Sequence, residues 1–477
     1  MGITFTTIPS TRIPGRYTEI NTKAAQRGLP ATDQSVVLLG QKTTAGTATA
    51  GAMVAVSDVG EAETLFGLGS MLYRMVLAAL RADKHMGALY AVPMADAGSS
   101  VAATATLTIT ASSLVAGTLT LYIGGDPVTL DLAATDTATA IAAAIKALLD
   151  DHPELPVSAS VSTNVVTLTA RNKGTLGNQI DLESSYSASG LTVAIVAMAS
   201  GATDPTLSTA LDAIFTAEVD ILVCPWNTST PLGTVKAHLA SRSDGVEQRG
   251  AVCVSAVDAS VSTASALTTA VNDGRQLVAV LEATTTWAPE IAAAAAAVLA
   301  GEEDLARPLN GLALAGIRPP AVASRFTRGE LATLLLNGVC PLIVTPNEEV
   351  VICRSITTYV NNDAGAPDDT LLDIQTIRVL DYTRKAVKAR LDSRFSRVKI
   401  ADVAHTETTT DPKKIRAEII DVLLQLEAID YLENVEDNTD DVVVERNASD
   451  PTRVDAHLPA DIVNGLHVLA TRIDLLL

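Results

Sequence analysis

Three strand–helix units follow one another between residues 219 and 300, and they constrain the fold more than any other part of the chain. VDILVCPW (Val219–Trp226) precedes a helical pattern over Thr230–Ser241. AVCVSA (Ala251–Ala256) precedes one over Ser262–Asn272, and LVAVLE (Leu277–Glu282) precedes one over Pro289–Ala300. These strands are continuously apolar rather than alternating, as strands covered by helices on both faces must be. The pattern therefore predicts a parallel, helix-covered sheet. The same rhythm opens earlier, with SVVLLGQ (Ser35–Gln41), helices over Glu61–Leu65 and Met71–Arg81, and ALYAVPM (Ala88–Met94). The chain is 48% hydrophobic but only 3% aromatic. Its core must be layered from Ala, Val, Leu and Ile with few large anchors.

Between these two stretches the period changes. TATLTITA, GTLTLYIGG, PVTLDL, PVSASVS, NVVTLTA and LTVAIVAM are short alternating segments, punctuated by turn signals at Gly124-Gly125-Asp126 and Asn172-Lys173-Gly174. One helix interrupts them over Thr137–Leu149, with Ile141, Ile145 and Leu148 on one face. Residues 97–197 read as a β-rich domain inserted into the α/β pattern. Downstream, a helix over Thr327–Leu336 precedes strands in PLIVTP and EEVVICRSITTYV. A long helix runs from about Asp368 to Arg394 and a second over Pro412–Asn434, before VVVER, RVDAHLP and the closing GLHVLATRIDLLL. Pro9 and Pro14 keep residues 1–20 extended. Both ends are apolar, unlike ordinary polar tails. Each end pairs within its own sheet or adds a strand to a neighbour's sheet. A dozen residues at roughly 3.3 Å each reach ~40 Å, enough to bridge subunits.

The formal charge is −20, which repels nucleic-acid phosphate. The charge is uneven. Residues 378–399 hold eight basic and two acidic side chains, whereas residues 400–477 hold 17 acidic and six basic. On the long helix, Ile377, Leu380, Val387, Leu391 and Phe395 form an apolar stripe. Lys385 and Lys388 share a second face, and Arg390, Arg394 and Arg397 a third. That basic surface is either solvated or a docking face for an acidic partner.

Catalytic patterns are missing. The chain has no GxSxG, GxxxxGK[ST] or HExxH. Gly67-Leu68-Gly69 lacks the third glycine of a nucleotide loop, and Asp437–Asp441 lacks the turn glycine and distal glutamate of an EF-hand. His85, His152, His238, His405, His457 and His467 have no metal-ligand spacing. Cys224, Cys253, Cys340 and Cys353 form no CxxC and read as buried, reduced core thiols. The expectation is a chain with no catalytic, cofactor-binding or metal residues, and not an enzyme. The N-terminus lacks the pattern of a signal peptide, and no segment reaches the ~20 apolar residues needed to span a bilayer.

Several segments, taken in order, resemble contractile phage tail sheath proteins of the Mu-like branch. They are IPSTRIPGRYTEI, SVVLLGQ, GTLTLYIGG, LTARNKGTLGNQIDL, RVLDYTRKAVKARLDSRFSRVKIAD and VERNASDPTRVDAHLPADIVNGLHVLATRIDLLL. The resemblance implies an α/β fold: a subtilisin-like parallel-sheet middle domain, an inserted β-rich domain, an α+β C-terminal domain, and extended N- and C-terminal arms. In this chain the N-terminal arm is 1–20 and the α/β domain 21–96 with 198–355. The inserted outer domain is 97–197, the inner C-terminal domain 356–464, and the C-terminal arm 465–477. Implied partners are copies of the chain in stacked hexameric rings, an inner tail tube protein, and baseplate and tail terminator proteins. The resemblance implies no cofactor, no nucleic acid and no membrane insertion. It implies assembly in the host cytoplasm, residence in the virion tail, and ATP-independent contraction that drives the tube through the host envelope for genome ejection. The arms carry Ile3, Phe5 and Ile8 at one end, and Leu466, Val468, Leu469, Ile473, Leu475 and Leu477 at the other. Lys385, Lys388, Arg390, Arg394 and Arg397 would face the tube, or else pair with the acidic region 400–477 of a neighbouring copy. Two other readings stay open: the sheath of a tailocin or other contractile injection machine, and a surface hydrolase or adhesin.

Overall fold

The buried apolar strands assemble into one eight-stranded sheet. Its spatial order is Val350–Ile352, Cys340–Val344, Gln276–Val280, Val252–Val257, Ile221–Val223, Val36–Gln41, Leu89–Met94 and Val54–Ala55. The six inner strands pair in parallel, and the two outermost pair antiparallel with their neighbours. The computed structural model describes residue 18 and residues 28–83, 86–404, 406 and 408–475. Ile3, Phe5, Ile8 and Leu477 lie outside the described residues. The chain divides into two compact units: Asp33–Arg378 with Gly465–Leu477, and Met1–Thr32 with Val379–Asn464.

In the larger unit, Val36–Gln41 is buried along its whole length, paired with Ile221–Val223 on one side and Leu89–Met94 on the other. The helix Ala288–Gly301 is buried on every face as far as Ala300 and packs against the helix Met71–Ala82. Its alanines have the highest helix propensity, and their small size lets the two axes approach closely. The few large anchors expected from the 3% aromatic content include Phe66 and Trp287, both buried.

The inserted region folds as antiparallel β-structure. One sheet has the order Leu191–Ala199, Thr104–Ala111, Val165–Ala170, Val157–Ser162, and a second has Asp126–Leu132, Gly117–Ile123, Leu182–Tyr186. Its helix, Ala138–Asp150, is capped by Thr137, whose side chain accepts from the Ala140 amide. Ile141, Ile145 and Leu149 face inward, not Leu148 as expected.

Strand order reverses around Val36–Gln41. The chain leaves it for Leu89–Met94 on one side and returns after the insertion to Ile221–Val223 on the other. In open α/β sheets the crevice at such a reversal, beyond the carboxyl ends of the strands, is where ligands bind. Here the insertion fills it. Gln41 Nε2 donates to the Lys173 carbonyl (2.7 Å) and to Asp96 Oδ1 (2.6 Å). The Met71 amide donates to Asn172 Oδ1 (2.8 Å), and Trp287 Nε1 donates to the Leu176 carbonyl (2.9 Å). The space left among Gln41, Met71, Asn172, Ile180 and Trp287 has no room for a water molecule. Gly69, at φ +69°, sits where a Cβ would lie 2.3 Å from the Leu155 carbonyl oxygen. Gly67 closes the helix Val59–Phe66. Both glycines adopt positive φ that the chain path requires. Deeper in the joint, Arg74 is buried between Glu290 (Nε to Oε1 2.8 Å) and Asp126 of the insertion.

The smaller unit takes over most of the long helix, which runs Ile374–Phe395 rather than from about Asp368. The helix Pro412–Glu427 starts with Asp411 accepting from the Lys414 amide and Pro412 in the first turn. It ends at Glu427, short of the expected Asn434, and Asp430 and Asn434 beyond it adopt φ of +58° and +57°, which no right-handed helix continues through. A hairpin, Val443–Arg446 with Val454–His457, completes the unit together with a two-residue ladder at 399–400 and 409–410.

All four cysteines are free. Cys224, Cys253 and Cys340 are buried and Cys353 is half-buried, and burial pushes the Cys224 and Cys340 thiols up to about 12. His238 packs edge-on to Phe215, with ring centroids 5.8 Å apart. Burial, reinforced by Arg242 and opposed by Asp212, lowers its pKa to about 4 from 6.5. The folded chain therefore binds this proton less readily than the unfolded chain. The associated stability is complete above pH 6.5 and is lost as pH falls towards 4. A His238→Phe variant is expected to lose about 1 kcal/mol less than the parent across that window, a figure discounted for partial exposure. Urea midpoints at both pH values measure this, and parallel slopes for the two proteins would refute it.

Candidate functional site

The segment after the hairpin is tied down until residue 463. Leu432 bridges to Ile462, the Glu433 amide donates to the Asp461 carbonyl (2.9 Å), and the Val463 amide donates to the Tyr431 carbonyl (3.3 Å). Beyond it, the larger unit holds the chain at two points. Gly465 lies so close to Pro308 that a Cβ would come within 2.5 Å of its Cγ. The His467 ring lies 2.8 Å from Asn310 Nδ2 through Nδ1, and 3.5 Å from Asp373 Oδ1 through Nε2. From Val468 onward the described residues belong to no strand or helix. Leu466, Val468, Leu469, Ile473 and Leu475 are 76% to 91% exposed. Solitary exposed apolar residues are ordinary, but five within ten residues form a surface that marks an interaction site.

A second unfinished feature is the hairpin of the smaller unit. Among the described residues, Val443–Arg446 and Val454–His457 pair only with each other, from Val443↔His457 to Arg446↔Val454. A lone two-stranded ribbon is marginal in water, and both outer edges leave backbone donors and acceptors unpaired.

The basic helix differs from expectation. Arg390 is buried, and its Nη1 donates to Glu418 Oε2 (3.1 Å) and to Asp421, while Nη2 donates to Gln425 Oε1 (3.3 Å). Arg394 Nε lies 3.5 Å from Glu418 Oε1. Arg390 and Arg394 are thus engaged by this chain's own acidic helix. Lys385, Lys388 and Arg397 are exposed. The apolar stripe is also rotated. Val379, Tyr382, Ala386 and Arg390 face inward, while Leu380, Val387, Leu391 and Phe395 are only half-buried. The missed signal was Glu418, Asp421 and Gln425, which share one face of the second helix at spacings of three and four.

The remaining chemistry is sparse. Among the described residues, no group of three or more His, Cys, Asp or Glu side chains is disposed to hold a metal ion. No helix among them is long and apolar enough to cross a membrane. Asp437–Asp441 ends in the 3₁₀ turn Thr439–Asp441, with its three aspartates exposed.

Residues 200–358 match the family model described as phage tail sheath protein central domain, and residues 366–475 match phage tail sheath C-terminal domain. The chain is 31% identical over 493 residues to the Mu-like prophage FluMu tail sheath protein of Haemophilus influenzae, covering 100% of both. Among solved structures it is similar to a sheath tail protein from Desulfitobacterium hafniense, with a TM-score of 0.51 and 16% identity over 95% of this chain and 97% of that one. It is also similar to a chain of the six-fold symmetrised anti-feeding prophage (AFP) baseplate. There the TM-score is 0.51, with 13% identity over 98% of this chain and 100% of that one.

Proposed function

The chain belongs to the phage tail sheath family, and from that premise we propose that it is the repeating structural subunit of a contractile tail, not an enzyme. It polymerises as stacked hexameric rings around an inner tail tube, between baseplate and tail terminator. It contracts in the virion tail to drive that tube through the host envelope for genome ejection, after assembly in the host cytoplasm. The observation that carries this reading is the exposed, unpaired apolar run from Leu466 to Leu475.

That segment is given to a neighbouring copy, where it adds a strand to the open hairpin Val443–Arg446/Val454–His457. Backbone hydrogen bonds hold it, and its leucines and isoleucine become buried there. The N-terminal arm, Ile3–Arg16, is assigned the same role. Residues 97–197 are assigned as the outer domain, 356–464 as the inner one, and 21–96 with 198–355 as the subtilisin-like α/β domain. Lys385, Lys388 and Arg397 remain the candidate tube-facing charges.

Contraction then needs no nucleotide. The extended lattice is trapped kinetically, and a trigger at the baseplate lets rigid subunits rotate into better mutual contacts while the arms keep them linked. Purified protein is expected to form tubes visible by negative-stain microscopy. A chain that stays monomeric at every concentration and salt would refute the proposal.

A further inference from the structure

We infer that His467 is a positioning residue for strand exchange: it clamps the base of the C-terminal arm to its own subunit and fixes the point from which the arm departs. This rests on the arm-exchange reading above.

Between residues 464 and 475, only Gly465 and His467 are not fully exposed, and the His467 side chain is 12% exposed. The socket is assembled in advance. Arg354 holds Asp373 in a two-pronged ion pair, Nε to Oδ1 2.9 Å and Nη2 to Oδ2 2.8 Å. Asp373 is thereby oriented towards the imidazole. Asn310 Nδ2 donates to Nδ1 from the other side, so Nε2 carries the proton and faces Asp373. Pro308 closes on Gly465 and leaves no space for a side chain there.

The clamp sets the free length. The arm beyond it begins at Val468, and each extended residue adds roughly 3.3 Å of reach. Without it, the departure point retreats to Asn464, just after the bond between the Val463 amide and the Tyr431 carbonyl. The arm then gains residues 465–467 and samples many more directions. A neighbour's hairpin must capture a strand from that broader ensemble, and the lost preorganisation weakens assembly.

The clamp also has a proton dependence. The charged groups facing the ring are Asp373 and Arg354. Burial lowers the imidazole pKa, Asp373 opposes this and Arg354 reinforces it. The clamped ring binds a proton less readily than the free arm does. The clamp is therefore complete above the ordinary imidazole value and loosens as pH falls below it.

The test uses the full chain with a spin label on Val468→Cys, in a Cys353→Ser background that removes the one half-buried native thiol. Label motion is expected to be restricted at neutral pH and freed by His467→Ala or by acid. His467→Gln, which keeps an acceptor for Asn310 and a donor for Asp373 but does not titrate, should stay restricted at both pH values. In assembly, His467→Ala should raise the concentration at which tubes form about three- to tenfold, with His467→Gln near the parent. Equal label motion in parent and His467→Ala would overturn the clamp. A working clamp whose loss leaves the tube-forming concentration unchanged would overturn its positioning role. If the parent forms no tubes, the sheath reading fails, and the label alone still decides whether the clamp exists.

Discussion

Deleting residues 466–477 is expected to leave a folded, soluble chain that forms no tubes. Leu466, Val468, Leu469, Ile473 and Leu475 are among the most exposed large apolar side chains of the molecule, and the described part of the segment contributes no strand to any sheet. The deletion therefore removes almost nothing from the subunit's own core. Assembly, by contrast, loses every hydrogen bond the segment makes to a neighbour, each worth ~1 kcal/mol net. It also loses the burial of those side chains, at roughly 1.5–3 kcal/mol for each one fully covered. Circular dichroism and thermal melts report on the fold, and sedimentation with negative-stain microscopy on the polymer. Normal tubes from the truncated chain would end the strand-exchange argument. Gross unfolding would show that the segment supports its own subunit instead.

Reversing Arg390 to Glu should destabilise the smaller unit by about 3–5 kcal/mol, before any question of docking arises. The guanidinium is buried between Glu418, Asp421 and Gln425. A carboxylate there would face two others, with Arg394 left to offset Glu418. Lys385→Glu, Lys388→Glu and Arg397→Glu lie on exposed positions, so each should change stability by less than about 0.5 kcal/mol. Those three are the variants that test contact with a tube. Denaturant unfolding of all four settles the distinction, and an Arg390→Glu chain as stable as the parent would mean the ion cluster is not formed in solution.

The contrast shows what the residues disclosed. The central strands were legible because continuous apolar runs alternating with helical patterns admit few other folds, and 252–257 and 276–280 lie within two residues of expectation. The antiparallel β-structure between residues 104 and 199 was legible from the change of period near residue 97. Helix ends were less so. The second helix ends at Glu427, and Asp430 three residues on adopts left-handed backbone, a conformation that aspartate tolerates without announcing it. Charge counting along one helix, likewise, cannot see that Glu418 and Asp421, roughly thirty residues away, engage Arg390, and that Glu418 also lies beside Arg394. The joint between insertion and α/β sheet was invisible as well, in part because Gln41 and Trp287 bind backbone carbonyls of Lys173 and Leu176 that carry no side-chain signature.

That joint bears on how such chains diversify. Where an α/β enzyme would keep a doorway for substrate, this one has a mortise, filled by the loop from Asn172 to Ile180 and secured by Gln41, Met71 and Trp287. A decorative module could be exchanged freely between relatives. One that doubles as the stopper of the central sheet has to travel with its matching socket. Variation is cheapest at the far tips of the insertion, such as the exposed turn around Val115, and most constrained at its root.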